Sequence, residues 1–114
     1  MQSLLPALGL GAYVVTLAVL AVINLVYGPG IPTPKVPMQW SFGGEPTWYA
    51  DKWIGLWLPV AIFVGVGAVL LFKARSTEPA ATSDYVGLIL CCLFFVGVHG
   101  WHVSKVVEWS QRQL

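Results

Sequence analysis

Three long apolar runs divide this chain, separated by one long mixed segment and one short polar one. Residues 8–27 carry no charge, and the first charged side chain anywhere is Lys35. Residues 53–72 are uncharged and end on Lys73; residues 85–104 are uncharged apart from His99 and His102 and are followed by Lys105. Each run is about 20 residues, which at a rise of ~1.5 Å per residue spans the ~30 Å hydrocarbon layer of a bilayer. The runs are apolar on every side, as lipid-facing helices are, so helical periodicity adds little. The pattern predicts one all-α membrane domain over 1–114, with transmembrane helices at 8–27, 53–72 and 85–104. An ordered interfacial loop is expected over 28–52, a polar loop over 73–84, and an amphipathic tail over 105–114 that continues the third helix. Residues 1–7 hold no Lys or Arg, and Tyr27-Gly28-Pro29-Gly30 is not a small-x-small cleavage site. The first run is therefore expected to be a retained helix rather than a cleaved signal peptide.

Composition agrees with that pattern and removes several function classes. Of the 114 residues, 57% are hydrophobic and 10% charged, whereas a soluble domain carries roughly 25% charged residues. Too few charges remain to wet a globular surface, which argues against a cytosolic enzyme or a disordered tail. A net charge of +1 gives no basic field for nucleic acid. Cys91 and Cys92 are adjacent inside an apolar run and form no disulfide framework. Thr33, Ser41 and Ser104 lack a base-and-orienter set, and no paired carboxylates, phosphate loop or metal cluster appears, so neither catalysis nor a metal is expected.

Three crossings put the long loop and the C-terminal tail on the same side of the membrane. Trp40, Trp48, Trp53 and Trp57 lie in or beside the loop, and Trp101 and Trp109 flank the end of the third run, so all six tryptophans share one face with His99 and His102. An aromatic belt accounts for some of them, but belts occupy both interfaces and the other face holds only Tyr13 and Tyr85. A small interfacial subdomain, with the loop folded over the helix ends, is the alternative. Lys35, Lys52, Lys105 and Arg112 lie on this side, against Lys73 and Arg75 on the other. That count favours a cytoplasmic aromatic face, but Lys35 and Arg112 stand away from helix ends, and charge alone does not orient the chain.

The loop holds five of the eight prolines: Pro29, Pro32, Pro34, Pro37 and Pro46. Proline fixes φ and removes a donor, so residues 28–37 are expected to be extended and rigid, with a tight turn at Gly43-Gly44. Within it, Val36-Pro37, Trp40, Gly44-Glu45-Pro46, Tyr49 and Lys52 match without a gap the pattern Ile-Pro-x-His-aromatic-Asn-x-x-Gly-Glu-Pro-x-x-Trp-x-x-Lys. This segment resembles the N-terminal membrane domain, of unknown function, of the SdpI-type immunity-protein family, where it lies between two transmembrane helices. Leu58-Pro59 is similar to a proline found early in that family's second helix. Gln39 and Ser41 stand where the family has histidine and asparagine, so no metal or proton role of that histidine carries over. The resemblance implies a bacterial inner-membrane location and, for some members, an immunity role. Physically the motif reads as a fold element in which Glu45, Asp51 and Lys52 pair across the turn. A partner-binding surface made of Trp40, Gly44, Glu45, Trp48, Tyr49 and Lys52 is the functional alternative.

His99 and His102 are three residues apart and share a helical face. Ionisable groups inside a membrane are often functional, so a pigment or haem contact at His99, His102 and Trp101, or a proton relay with Glu45 or Asp51, stands beside an interfacial structural role. Gly97 and Gly100 leave room for a flat ring to approach. Asn24 is expected to make an interhelical hydrogen bond, and Ala61-x-x-x-Gly65 suits close helix packing. Three helices of this size enclose no pore. The expectation is a small non-catalytic accessory subunit of a respiratory or photosynthetic membrane complex, contacting larger integral subunits and lipid. A stand-alone SdpI-like immunity or signalling protein that recognises a peptide or toxin is the alternative, and a fragment of a proton-coupled transporter is a third reading.

Overall fold

The computed structural model describes residues 4–76 and 82–114. Its elements run α1 (Leu5–Tyr27), a 3-10 turn (Gly28–Gly30), β1 (Lys35–Trp40), β2 (Pro46–Asp51), α2 (Lys52–Ser76) and α3 (Thr82–Arg112). Each apolar run forms a helix, and all three helices are long and apolar enough to cross a membrane. Every helix is longer than its uncharged run. Pro6 occupies the first turn of α1, where a missing N–H is harmless, and the polar ends of α2 and α3 extend helix beyond the apolar stretch. Residues 77–81 of the expected polar loop, like residues 1–3, lie outside the described residues. Lys73 and Asp84, at the facing ends of α2 and α3, approach to 3.8 Å.

The long loop corrects the all-α expectation. Its second half is a two-stranded antiparallel sheet, with Lys35 opposite Asp51, Val36 opposite Ala50 and Pro37 opposite Tyr49. Val36, Trp40, Thr47, Trp48 and Tyr49 are residues that favour a pleated, half-buried surface, and they flank a glycine pair suited to a hairpin. The prolines hid this pattern, but a two-stranded sheet is all edge, so Pro37 removes no central ladder bond. The register slips between Pro37 and Gln39 and again between Gln39 and Trp40, which leaves Met38 and then Thr47 without a direct opposite. The expected extended stretch over 28–37 also begins later than supposed, because Gly28–Gly30 form a 3-10 turn and Ile31 donates back to the Gly28 carbonyl.

Two apolar clusters hold the molecule together. Leu20, Val60, Phe63, Leu88 and Cys92 fill the middle of the three-helix bundle. There the Tyr13 and Phe63 rings stack at 5.3 Å, and the Tyr13 hydroxyl donates to the Val64 carbonyl at 2.9 Å. Ile31, Val36, Leu56, Val103 and Val106 form a second cluster beneath the hairpin. α3 makes this second cluster possible. Its 31 residues give a length of ~46 Å, well beyond the ~30 Å of a hydrocarbon layer, so it has turns to spare beyond a membrane-spanning length, and its C-terminal part backs the hairpin. The amphipathic tail is thus part of α3, with Val103 and Val106 buried and Leu114, beyond the helix end, exposed.

Candidate functional site

Three buried polar side chains of the helices, Asn24, His99 and His102, lie just under the hairpin. Asn24 of α1 is fully buried, and its amide donates to the Leu56 carbonyl of α2 at 2.8 Å. Its oxygen lies 2.8 Å from His99 Nε2 of α3. One asparagine therefore ties all three helices at a single level. Because the amide nitrogen is committed to Leu56, the oxygen must accept, and the His99 Nε2 must carry a proton. His99 Nδ1 is then a lone-pair acceptor, and it is buried without a partner. Pro59 lies in α2 three residues beyond Leu56, where its lack of an N–H frees the Gly55 carbonyl from its helical bond.

One turn later, His102 Nε2 lies 2.9 Å from the Pro37 carbonyl in β1. A carbonyl only accepts, so this ring also holds its proton on Nε2. His99 thus belongs to the helix bundle, while His102 latches the hairpin to α3. The structure places both residues inside, at 2% and 8% exposure, and each Nε2 is already engaged. Ligation of a haem or pigment through Nε2 would have to break one of these bonds. The proton-relay alternative finds no support in the geometry, since the partners of the two rings are Asn24 and Pro37 rather than Glu45 or Asp51. Trp101, the other residue of the pigment reading, is exposed at 56%.

Further ties fix the hairpin on the helix ends. The Lys52 backbone N–H donates to the Pro34 carbonyl at 2.9 Å, and its ammonium donates to the Ile31 carbonyl at 2.9 Å while lying 4.9 Å from the Trp53 ring centre. Asp51 precedes α2 and accepts from the Trp53 N–H at 3.1 Å, as an N-capping carboxylate does. The Lys105 ammonium lies 5.5 Å from the centre of the Trp40 ring and 6.0 Å from that of Trp101. Tyr49 packs against Trp109 with ring centres 5.8 Å apart. Gly55 is the seat of the sheet: a Cβ there would lie 2.6 Å from Val36 Cγ2 and 2.8 Å from Met38 Sδ.

The turn itself is closed by Ser41, which donates to the Glu45 carbonyl, accepts from the Gly44 N–H on its carbonyl, and accepts from the Glu45 N–H on its hydroxyl. Gly44 has φ +83, the left-handed position that closes three-residue hairpin loops. Phe42 at the tip is fully exposed, and Trp48 and Tyr49 are exposed at 44% and 46%.

The expected loop residues therefore separate into two groups. Trp40 and Lys52 are turned toward the helices and act as fasteners, with Tyr49 half exposed but packed on Trp109 of α3, whereas Trp48 and Glu45 are exposed on either side of the turn at Gly44. The pairing expected among Glu45, Asp51 and Lys52 is absent among the described residues, because Asp51 caps α2 and Lys52 reaches Ile31. Phe42, Gly55 and the Pro37 carbonyl were not singled out from the sequence. Only the turn position of Phe42, next to Gly43-Gly44, could have pointed to one of them. Comparison of the chain with protein-family models, with characterised proteins and with solved structures finds no match.

Proposed function

We propose that this chain is a non-catalytic membrane subunit that recognises a larger membrane partner through the outer face of its hairpin. The observation that carries this reading is the way the hairpin is held. A buried bond from His102, a part-buried bond from Lys52, the seat at Gly55 and the Tyr49–Trp109 contact brace it on the helix ends, while Phe42 at its tip and Trp48 stay exposed. Aromatic anchors presented on a rigid support lose little conformational entropy on binding and are the residue types that dominate interface energies. Exposed Leu, Val and Phe side chains along all three helices suit lipid and neighbouring integral subunits alike. A respiratory or photosynthetic assembly in a bacterial inner membrane is the partner class this reading favours.

The test is purification of the tagged chain in mild detergent, with co-purifying proteins and the visible absorption spectrum recorded together. A stoichiometric complex of large subunits is the expected outcome; a small colourless homo-oligomer would sink the reading. Within such a complex, Gly44→Val and Trp40→Ala should each reduce recovery of the large subunits several-fold, and Ser76→Ala should not. Valine at φ +83 carries a strain of roughly 1–2 kcal/mol without any clash, because nothing lies within 4 Å of a Cβ there. Its effect therefore reports the conformation of the turn. Equal recovery in all three variants would remove the case for a binding hairpin.

A second reading is favoured by where the SdpI-like positions fall. Pro37 carries the carbonyl bound by His102, Gly44 supplies the left-handed turn, Pro46 opens β2, and Lys52 fastens the hairpin to Ile31. A stand-alone immunity-type protein would use the same outer face to recognise a peptide or toxin. Protection of cells against a membrane-active toxin, with no large subunits recovered, would favour it over the accessory-subunit reading.

A further inference from the structure

We propose that the groove between α2 and α3 beneath the hairpin binds a membrane-soluble amphiphile with a phenolic ring head and an apolar tail. This ligand site is distinct from the outer face of the hairpin and does not depend on the partner reading.

The groove has a volume of about 740 Å3 and is bounded by three elements. Trp40 and Thr47 line it from the hairpin, Pro59 and Ile62 from α2, and Phe94 and His99 from α3. Its chemistry is graded along the membrane normal. The hairpin end has the polar groups, while Ile62, Phe94 and Phe95 line the end nearer the bilayer centre. From His102 to Phe94 is two turns of helix, ~12 Å, enough for a substantial part of an alkyl chain.

Two unpaired polar groups choose the head. His99 is 98% buried, with 2% of its surface exposed, and its Nδ1 is an acceptor without a donor. The Trp40 indole N–H is a donor without an acceptor. Buried polar groups left unpaired are uncommon and point to a missing partner. A hydroxyl both donates and accepts, so one O–H group has the capacity to satisfy the two kinds of need that this groove leaves open. A neutral head is favoured, because no charged side chain among the described residues lines the groove; the nearby Lys105 ammonium is placed over the Trp40 and Trp101 rings, and an unpaired charge inside would be strongly disfavoured. The walls argue for a ring. Trp40, Phe94, Phe95 and Trp101 all border the space, and aromatic faces prefer flat partners in stacked or edge-on contact. Both polar atoms are covered, so seating the hydroxyl requires side chains lining the groove to move, the partly buried Trp40 indole among them.

That movement supplies the readout. The full chain, labelled with 15N-tryptophan and held in lipid nanodiscs, is titrated with 4-decylphenol, 4-decylanisole and decylbenzene, and the indole N–H resonances are followed. Trp40→Phe identifies the Trp40 signal by its disappearance. The expected result is a saturable shift of that signal with 4-decylphenol. Binding of 4-decylanisole, which accepts but cannot donate, should be about five- to tenfold weaker, the loss of one hydrogen bond, and decylbenzene should be weaker still. Ile62→Trp and Val98→Phe both fill the groove from positions that are about half exposed, at 50% and 47%; at least one of them should keep the dispersed indole spectrum of the folded protein while abolishing saturation. Equal responses to all three probes, a response that never saturates, or undiminished binding in a folded groove-filled variant would overturn the proposal.

Discussion

Gly55→Val is expected to lift the hairpin off α2 while leaving the helical bundle assembled. The first side-chain carbon alone would lie 2.6 Å from Val36 Cγ2 and 2.8 Å from Met38 Sδ. Met38 can swing away, but Val36 is completely buried and lies in the cluster formed with Ile31, Leu56, Val103 and Val106. Overpacking of this kind costs about 1–3 kcal/mol, and valine adds two further methyl groups to the clash. The backbone has no objection of its own, since glycine is a poor helix former and gains about 1 kcal/mol on replacement by alanine. Gly55→Ala should therefore be much milder than Gly55→Val. Gly65→Val, in the same helix with nothing within 4 Å of its Cβ, should be tolerated. Amide hydrogen exchange reads the difference. Exchange of β1 and β2 amides in Gly55→Val should accelerate by about ten- to a hundredfold, the amount that 1.4–2.8 kcal/mol represents, while amides of the α1–α3 core stay protected. A hairpin that exchanges alike in Gly55→Val and Gly65→Val would show that Gly55 is not its seat.

The helices were legible because each is written as a continuous apolar run, and length alone fixes what such a run does in a bilayer. The continuation of α3 through the tail was legible as well, but the end of α2 was not, since polar residues such as Lys73 and Arg75 continue a helix once its first turns exist. The hairpin was half legible. Gly43-Gly44 announced a turn, but the prolines on its approach suggested an extended strap, and nothing local reveals that Val36 will pair with Ala50 rather than lie alone on the membrane. The polar groups show the same division. That Asn24 would bond another helix followed from its being the lone amide in an apolar span. That its partners would be the Leu56 carbonyl and His99 did not, because the match depends on how three helices rotate against one another. His99 and His102 share a face in sequence, yet one faces α1 and the other β1, a difference set by tertiary packing. Lys52 illustrates the limit most clearly: its charge suggested a salt bridge, whereas the folded chain offers it a carbonyl and an indole ring.

The Asn24–His99 pair carries the second large effect. Asn24→Leu removes both of the asparagine's bonds at once. The Leu56 carbonyl retains its place in the α2 backbone, so most of the loss falls on His99, whose Nε2–H is left without an acceptor in addition to the unpaired Nδ1. Interhelical hydrogen bonds in membranes contribute on average only ~0.6 kcal/mol, but leaving a buried group unpaired costs about 1–3 kcal/mol. The second quantity applies here because His99 is almost completely buried. Asn24→Leu is therefore expected to destabilise the bundle by about 1–3 kcal/mol. His99→Phe should be somewhat milder: it strands the buried Asn24 Oδ1 in turn, but it replaces a ring by a ring, removes the unpaired Nδ1 and leaves the asparagine its bond to Leu56. The double variant Asn24→Leu/His99→Phe should be more stable than Asn24→Leu alone, since the second change removes the stranded donor. Reversible unfolding in mixed micelles titrated with denaturing detergent measures all three, and the coupling between the two sites should be of order 1–2 kcal/mol, within the range found for residues in contact. His102→Phe serves as the control, because it breaks the latch to Pro37 without touching Asn24. Combined with Asn24→Leu it should add to within about 0.5 kcal/mol. Additivity of Asn24→Leu with His99→Phe as well would mean that the three-helix junction is not held through this contact, and the bundle would then owe its register to apolar packing around Leu20, Phe63 and Leu88 alone.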